Sequence, residues 1–473
     1  MSAIPSRTQA LGLLWIFPLA GVGLAVANIW TPYSYWMDEL YSVTASQQDL
    51  AGMFDLLLAD VHPPLYQMVL WCWLRLFGDS EPATRVLSLV FALSALAMMA
   101  IWSRKLETPA RVATLVLFGS SLLFSYYAQE TRSYAMLLLL ATRLTLSFLD
   151  YRRESSHLGQ LLGLCILISL THYFGLLLAA VVLAWLFFDN LKNRQRLAWL
   201  MLTGAVVLAW PVMIFMYGEM GSKLGGHFWI QVAGPLDSLS IALRAMAHSP
   251  GSLLLLLGLT LATQASRQGL LRHAAPLVRL AFLSSAVVAL AVLIDLHTPV
   301  STRRNYIILL PAMSILFGLL FGRLFELRRI GLVAMLLLAA TGYKNVQQAH
   351  KEMAAKWLPL QNWKAAAHFL LEQKRPGIAY YHLPMDRSPR SASHFRLMNE
   401  YYLNQQAPSG IVLNRIDLAD IPTTRPPYAI MFATPAPDRI EQRLRDTGCE
   451  RRVAIHYPVQ SLRGSTGVIT PVE

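Results

Sequence analysis

Charge is scarce in this chain: only 14% of its 473 residues are Asp, Glu, Lys or Arg, where a soluble protein of this size carries about a quarter. The scarcity is also uneven. Long apolar runs are almost free of charge, and with 55% hydrophobic residues they supply about eleven stretches of the roughly 20 residues that one bilayer crossing needs. That excludes a soluble enzyme, a disordered chain and a single-span receptor. Cysteine is rare too. Cys72, Cys165 and Cys449 lie far apart, with no CxxC and no metal-type spacing, so no disulfide framework is implied. There is no P-loop, no GxGxxG and no DxD that would hold a nucleotide-sugar metal. Acidic residues are outnumbered 27 to 40, for a formal charge of +13. Most of the basic residues fall in short loops between apolar segments, where they act as orientation signals, and no nucleic-acid partner is expected.

The apolar runs predict membrane helices at about 9–30, 82–103, 109–128, 133–150, 158–171, 174–188, 197–217, 250–265, 276–296, 305–322 and 329–343. One set of loops holds Arg7, Arg104, Lys105, Arg152, Arg153, Lys192, Arg194, Arg196, Arg267, Arg272, Arg323, Arg328 and Arg329. The alternate set holds Asp38, Glu39, Asp49, Asp55, Asp60, Asp79, Glu81, Glu130, Glu219 and Asp237. The basic set should face the cytoplasm, which puts the amino terminus inside and, after an odd number of spans, the tail outside. The stretch from His157 to Phe188 has no charged residue and basic clusters at both flanks. Both flanks then want the same side, which requires a hairpin turning at Thr171-His172-Tyr173-Phe174-Gly175.

Residues 63–77 are apolar but only 15 long. A helix there rises about 22 Å, short of the roughly 30 Å hydrocarbon core, so an interfacial outer helix is expected, with Trp71 and Trp73 at a suitable depth. Residues 39–59 predict one or two more helices of this kind. After residue 344 charges and prolines become frequent, and β-rich runs (GIAYYH, GIVLN, YAIMFAT, RRVAIHY) alternate with helical segments near 362–373 and 437–447, the latter closing at Gly448. The expected architecture is an α-helical polytopic membrane protein, with a transmembrane region over 1–343 that carries interfacial helices in its 31–81 loop, and a small extracytoplasmic α/β domain over 344–473.

The unusual polar residues share one side. Asp38, Glu39, His62, Glu81, Glu130, Arg132, His172, Lys223, Arg303 and Arg304 all map to the outer face or to helix ends there. A charge at membrane depth costs about 2.5–3.5 kcal/mol on insertion scales and commonly marks a site. Each residue also has a plainer explanation. Asp38-Glu39 suits an N-cap followed by a first-turn acid. The prolines after His62 suit a helix start, Glu130 and Arg132 a solvated loop, and His172 an interfacial turn. Arg303-Arg304-Asn305-Tyr306 opens a helix on the outer side, against the loop-charge trend. Guanidinium forks match phosphate oxygens there, and a helix start favours negative charge.

An acidic pair after the first span, HPPLY before an interfacial helix, a later Q-E-x-R-x-Y turn and an Arg-rich R-x-Y start to a late span together resemble the GT-C membrane glycosyltransferases. Among these the likeness is to protein O-mannosyltransferases, aminoarabinose transferases and related family-39-type proteins. It covers roughly residues 1–340, and the segment Asn362-Trp363-Lys364-Ala365-Ala366-Ala367 is similar to one in their outer domains. The resemblance implies transfer of a sugar, with inversion, from a polyprenyl-phosphate donor at the periplasmic side of a bacterial inner membrane. The acceptor would be a membrane lipid, a glycan or a protein. It implies Asp38 as the catalytic carboxylate, Glu39 and Glu130 as supporting acids, and His62 beside the donor phosphate. Arg303 or Arg304 would hold that phosphate, and Arg132, Tyr134, His172, Tyr173 and Tyr306 complete the expected binding residues. A divalent cation (Mg or Mn) is left open, with Asp38, Glu130 or His172 as candidate ligands. A polysaccharide polymerase or ligase of similar topology is the alternative. A secondary transporter suits the sequence less, because no internal repeat is present.

Overall fold

The computed structural model describes residues 7–27, 29–31, 34–59, 62–152, 157–217, 234–246, 257, 274–357, 362–372, 378–383, 389–406, 412–416, 428–434, 437–446, 453–456 and 465–471. The expected span at 250–265 apart from residue 257, the Gly448 cap, Lys223 and Cys449 lie outside these residues. The chain divides into two compact units. The first contains Met1–Ile29, Val61–Tyr66 and Arg85–Glu352, and the second contains Trp30–Asp60, Gln67–Thr84 and Met353–Glu473.

The first unit is helical. In chain order it holds α1 (Arg7–Leu13) and α2 (Ile16–Ala27); the second unit's α3 (Met37–Gln47) and α4 (Leu50–Ala59) follow. Helices α5 (Leu65–Phe77) and α6 (Glu81–Trp102) run from one unit into the other. Then come α7 (Thr108–Gly119), α8 (Leu122–Tyr127), α9 (Tyr134–Asp150), α10 (Leu158–Ser169), α11 (Tyr173–Asp189), α12 (Arg194–Tyr217), α13 (Pro235–Met246) and α14 (Ala274–Asp295). A 3-10 segment, Arg303–Leu309, leads into α15 (Leu310–Glu326), and α16 (Arg328–Trp357) ends the helical series. Among the described residues six helices are long and apolar enough to cross a bilayer: Gln9–Ala27, Glu81–Lys105, Arg194–Met216, Ala275–Asp295, Arg303–Glu326 and Arg329–Ala354. Shorter apolar helices cover Thr108–Gly119, Leu158–Ser169 and Tyr173–Asp189. The protein is therefore a polytopic α-helical membrane protein.

Two expected spans, at 109–128 and 329–343, differ in detail. The run at 109–128 is two helices, α7 and α8, broken at Ser120-Ser121. The Ser121 side chain accepts the Leu123 N–H at 3.2 Å and so caps α8. Backbone contact with α2 is close at this break, for a Cβ added at Gly21 would collide with the Gly119 carbonyl. Residues 158–188 form two helices joined by a short turn, as the hairpin reading requires. The last apolar run continues as helix to Trp357, because Gln, Lys, Glu and Ala prolong a helix well after hydrophobicity ends.

The end of the bundle that holds the basic loops is tied by its own polar contacts. Lys105 pairs with Asp150 at 2.6 Å. Arg279 donates to the carbonyls of Phe148, Leu149 and Tyr151 at 2.9–3.2 Å, covering the C-terminus of α9.

The second unit joins α3 and α4 to α17 (Trp363–Glu372), α18 (Pro389–Gln406), α19 (Pro437–Asp446) and a five-stranded sheet. The strands are β1 (Ala379–His382), β2 (Asn414–Arg415), β3 (Tyr428–Thr434), β4 (Val453–His456) and β5 (Ser465–Pro471), ordered β2-β1-β3-β5-β4. β1 is parallel to β2 and β3, whereas β5 is antiparallel to β3 and β4. Trp363, Leu370, Tyr380, Met398, Tyr402 and Met431 form one core with Tyr35, Leu40 and Val43. Ile430, Phe432, Ile440, Leu444 and Ile469 form another.

Candidate functional site

Within the first unit, four polar turns from distant parts of the sequence meet at one end of the helices. His62 precedes the Pro63-Pro64 start of α5, both prolines being buried. This start is fastened to the end of α10 by a hydrogen bond from Leu65 N to Leu170 O at 2.9 Å. That brings His62 beside His172, the residue that opens α11. The His172 Nδ1 accepts the Phe174 N–H at 3.1 Å as a helix cap. An accepting Nδ1 places the ring proton on Nε2. Desolvation first, then the charges around His62, Arg132 and Arg304, lower the His172 imidazole from its ordinary value to about 3. It is a neutral donor at physiological pH.

The Gln129–Ser133 turn between α8 and α9 supplies Glu130 and Arg132, both buried. It is closed by Arg132 N donating to Glu130 O at 2.7 Å and by Ser88 Oγ donating to the same carbonyl. The Arg132 Nη2 lies 2.9 Å from His62 Nε2. Arg304, from the 3-10 segment, places its guanidinium 5.5 Å from the Tyr134 ring centroid, within range of a cation–π contact. The His172 ring stands 5.5 Å from the same Tyr134 ring. Tyr306 is buried, packs edge-on to Phe174 at 5.3 Å and bonds Ser301 Oγ at 2.8 Å.

The two adjacent arginines part company. Arg303 Nη2 lies 2.7 Å from both carboxylate oxygens of Glu352, and the residue lines a small pocket with Ser121, Arg244 and Asn345. Arg304 alone of the pair joins the histidines and Tyr134. Sequence reasoning could not choose between them, because the choice depends on Glu352, 49 residues away. Arg244 and Asn345 carried no signal.

Asp38 and Glu39 belong to the second unit, in the first turn of α3. Trp36 is the residue that precedes the helix, so Asp38 is not its N-cap. Glu39 is buried, and its Oε2 accepts the Trp36 N–H at 3.4 Å, the returning half of a capping box. Asp38 is half-buried. Tyr173 lies at the first position of α11.

No group of three His, Cys, Asp or Glu side chains is arranged to hold a metal among the described residues. In the first unit the would-be ligands do not fit a divalent cation. Two guanidinium charges already lie beside the candidate ligand His172, so a further positive ion would be repelled. The same charges suit an anion. Two fixed cations, a neutral imidazole donor and an aromatic wall can hold a phosphate group and orient what is attached to it.

A family model described as dolichyl-phosphate-mannose-protein mannosyltransferase matches residues 61–215, the stretch that contributes His62, Glu130, Arg132 and His172. No curated protein matches the chain. Among solved structures, the chain is similar to ArnT from Cupriavidus metallidurans in the apo state, with TM-score 0.55, 13% identity, and 97% of this chain and 98% of that one covered. It is equally similar to the same protein bound to undecaprenyl phosphate, with TM-score 0.55, 12% identity and the same coverage. The chain shares the ArnT fold.

Proposed function

We propose that the protein transfers a sugar from a polyprenyl-phosphate donor to an acceptor hydroxyl at the outer face of a bacterial inner membrane. The observation that carries this reading is the convergence of Arg132, Arg304, His62 and His172 on one end of a membrane-helix bundle. The shared fold with a protein crystallised with undecaprenyl phosphate agrees with it. A lipid-linked phosphate needs positive charge at the membrane boundary, and the leaving phosphate needs that charge most as the glycosidic bond breaks.

In this reading the acceptor oxygen attacks the anomeric carbon from the side opposite the phosphate. The carbon–oxygen bond to phosphate breaks, the electron pair leaves with the phosphate, and the configuration inverts. The acceptor proton passes to the Asp38 carboxylate as general base. Arg304 and Arg132 hold the phosphate, His172 donates a neutral hydrogen bond, and Glu130 supports the turn that carries Arg132. In this reading, which the basic loops support, the amino terminus is cytoplasmic and residues 344–473 are periplasmic.

The test is mass spectrometry of envelope lipids and glycans from cells with and without the protein. A difference of one sugar mass identifies donor and acceptor together. Purified protein should then release polyprenyl phosphate only when both are supplied. No mass difference, with no release from any polyprenyl-phosphate sugar, would sink the reading.

A further inference from the structure

Helix α3 carries Asp38, and the framework around it comes from other parts of the second unit. At its start the Tyr402 hydroxyl, on α18, accepts the Tyr35 N–H at 2.7 Å and donates to Glu81 Oε1 at 2.8 Å. Lys364 Nζ, on α17, lies 2.7 Å from that same oxygen. The Tyr35 side chain runs the other way, donating to Asp79 O at 2.8 Å and standing 2.6 Å from Thr84 Oγ1. Midway along α3, Thr44 Oγ1 lies 2.9 Å from His394 Nε2, and the His394 ring lies 4.3 Å from that of Tyr41. At the far end, Arg75 donates to Ser46 O and Gln48 O, and Trp71 Nε1 donates to Gln48 O. A cation over terminal carbonyls complements the helix dipole.

Tyr402 is the pivot of the start. Tyr35, Glu81 and Tyr402 are all buried, at 0%, 6% and 1% exposure. Burial, with Glu81 nearby, raises the Tyr402 phenol well above its ordinary value, so the hydroxyl keeps the proton that it gives to Glu81. Removing that one oxygen takes the acceptor from the buried Tyr35 amide and leaves Glu81 Oε1 with Lys364 but without the hydroxyl's proton. The ring packing against Tyr401, edge-on at 4.8 Å, would survive as phenylalanine.

We infer that Tyr402 is a positioning residue: from the C-terminal α/β region it fixes the start of α3 and thereby the place of the Asp38 carboxylate. It touches no reacting atom. The inference rests on the proposed role of Asp38 only where turnover is measured.

The test uses the full-length protein in detergent and compares Tyr402→Phe with Tyr401→Phe, whose hydroxyl bonds Asp79 O and Gln405 instead. Amide hydrogen exchange over residues 35–42 should rise about tenfold in Tyr402→Phe, while residues 363–372 and 428–434 exchange as in the wild type. Turnover should drop by a similar factor with the donor KM unchanged, and Tyr401→Phe should leave both readings near wild type. Unchanged exchange over 35–42, or an equal rise throughout the sheet, overturns the inference. A rise confined to 35–42 with full turnover keeps the positioning and removes Asp38 from the chemistry. Should Tyr402→Phe fail to fold, Glu81→Gln breaks the ion pair with Lys364 and reads the same peptide. A confined rise supports the inference and no rise overturns it.

Discussion

Arg132 Nη2 stands 2.9 Å from His62 Nε2. A guanidinium can only donate, so this nitrogen of His62 presents a lone pair and the ring proton sits on Nδ1. His62 is therefore an arm that aims the Arg132 charge, and not itself the cation.

An acceptor at position 62 should then matter more than a charge there. His62→Gln keeps an acceptor for Arg132 and should retain most donor affinity. His62→Lys sets an ammonium against the guanidinium and should raise the donor KM about tenfold or more, as two unmatched like charges close together predict. Donor titrations of both variants decide the matter, and the reverse order would make His62 the phosphate-binding cation after all.

The adjacent arginines should separate cleanly. Arg304→Ala removes a charge-assisted hydrogen bond worth roughly 1.5–3 kcal/mol and should raise donor KM by more than tenfold. Arg304→Lys should fall between Ala and wild type, because the planar fork is lost although the charge remains. Arg303→Ala should leave donor dependence unchanged and cost at most about 1 kcal/mol of stability, since its pair with Glu352 is half-exposed. Equal donor effects at both positions would contradict the separate partners seen here.

Asp38→Asn should remove most turnover, by roughly 10²–10⁴ for loss of a general base, with expression and membrane insertion intact. Asp49→Asn and Asp55→Asn are the comparisons. Asp49 Oδ1 accepts the Gly52 N–H at 2.7 Å at the start of α4, a role that Asn fills equally well, and Asp55 is exposed. Comparable losses in all three variants would assign the effect to folding.

His172 links the site to pH. Its folded value of about 3 lies below the roughly 6.5 of an unfolded histidine, so the unfolded chain binds the proton first. The stability contributed by neutral His172 is complete above about pH 6.5 and is lost progressively as pH falls toward 3. His172→Asn keeps a cap acceptor for Phe174 and cannot titrate, so its melting temperature should fall less than that of the wild type between pH 7 and 5. His172→Ala should lose about 1 kcal/mol of cap at every pH. Parallel melting curves for wild type and Asn variant would show that the ring stays solvated.

Much of the helical unit is readable from apolar runs, because bilayer thickness sets their length. The turns that carry Glu130 and His172 are readable as interruptions between such runs. The charge pairing is not. Arg303 and Arg304 are neighbours with the same loop-charge anomaly, and only the fold supplies Glu352 to one and Tyr134 to the other. In the tail, three of the β-rich runs hold β1, β3 and β4, whereas GIVLN meets β2 only at Asn414, and β5 begins Ser-Thr-Gly and ends at Pro471, which hides its strand character. Helix α18 is not legible either, since Asn, Gln and Tyr dilute its apolar face. The membership of α3 in the tail's core depends on contacts more than 300 residues apart, such as Tyr35 with Tyr402, and no local pattern encodes them.

The break between α7 and α8 bears on the order of assembly in the membrane. Ser125 Oγ donates to Gly21 O and Gln129 Nε2 reaches Leu24 O, so polar side chains of a later segment are satisfied by carbonyls of α2. Each side chain also reaches a carbonyl of its own segment, but hydrocarbon offers no further partner. Because α2 is synthesised about a hundred residues earlier, its carbonyls already wait in the bilayer when Ser125 and Gln129 leave the translocation channel. Helix α2 is thus a docking template for the segment that later delivers Arg132, and a chain that lost α2 would leave Ser125 and Gln129 with only the carbonyls of their own segment, Ser121 O and Ser125 O.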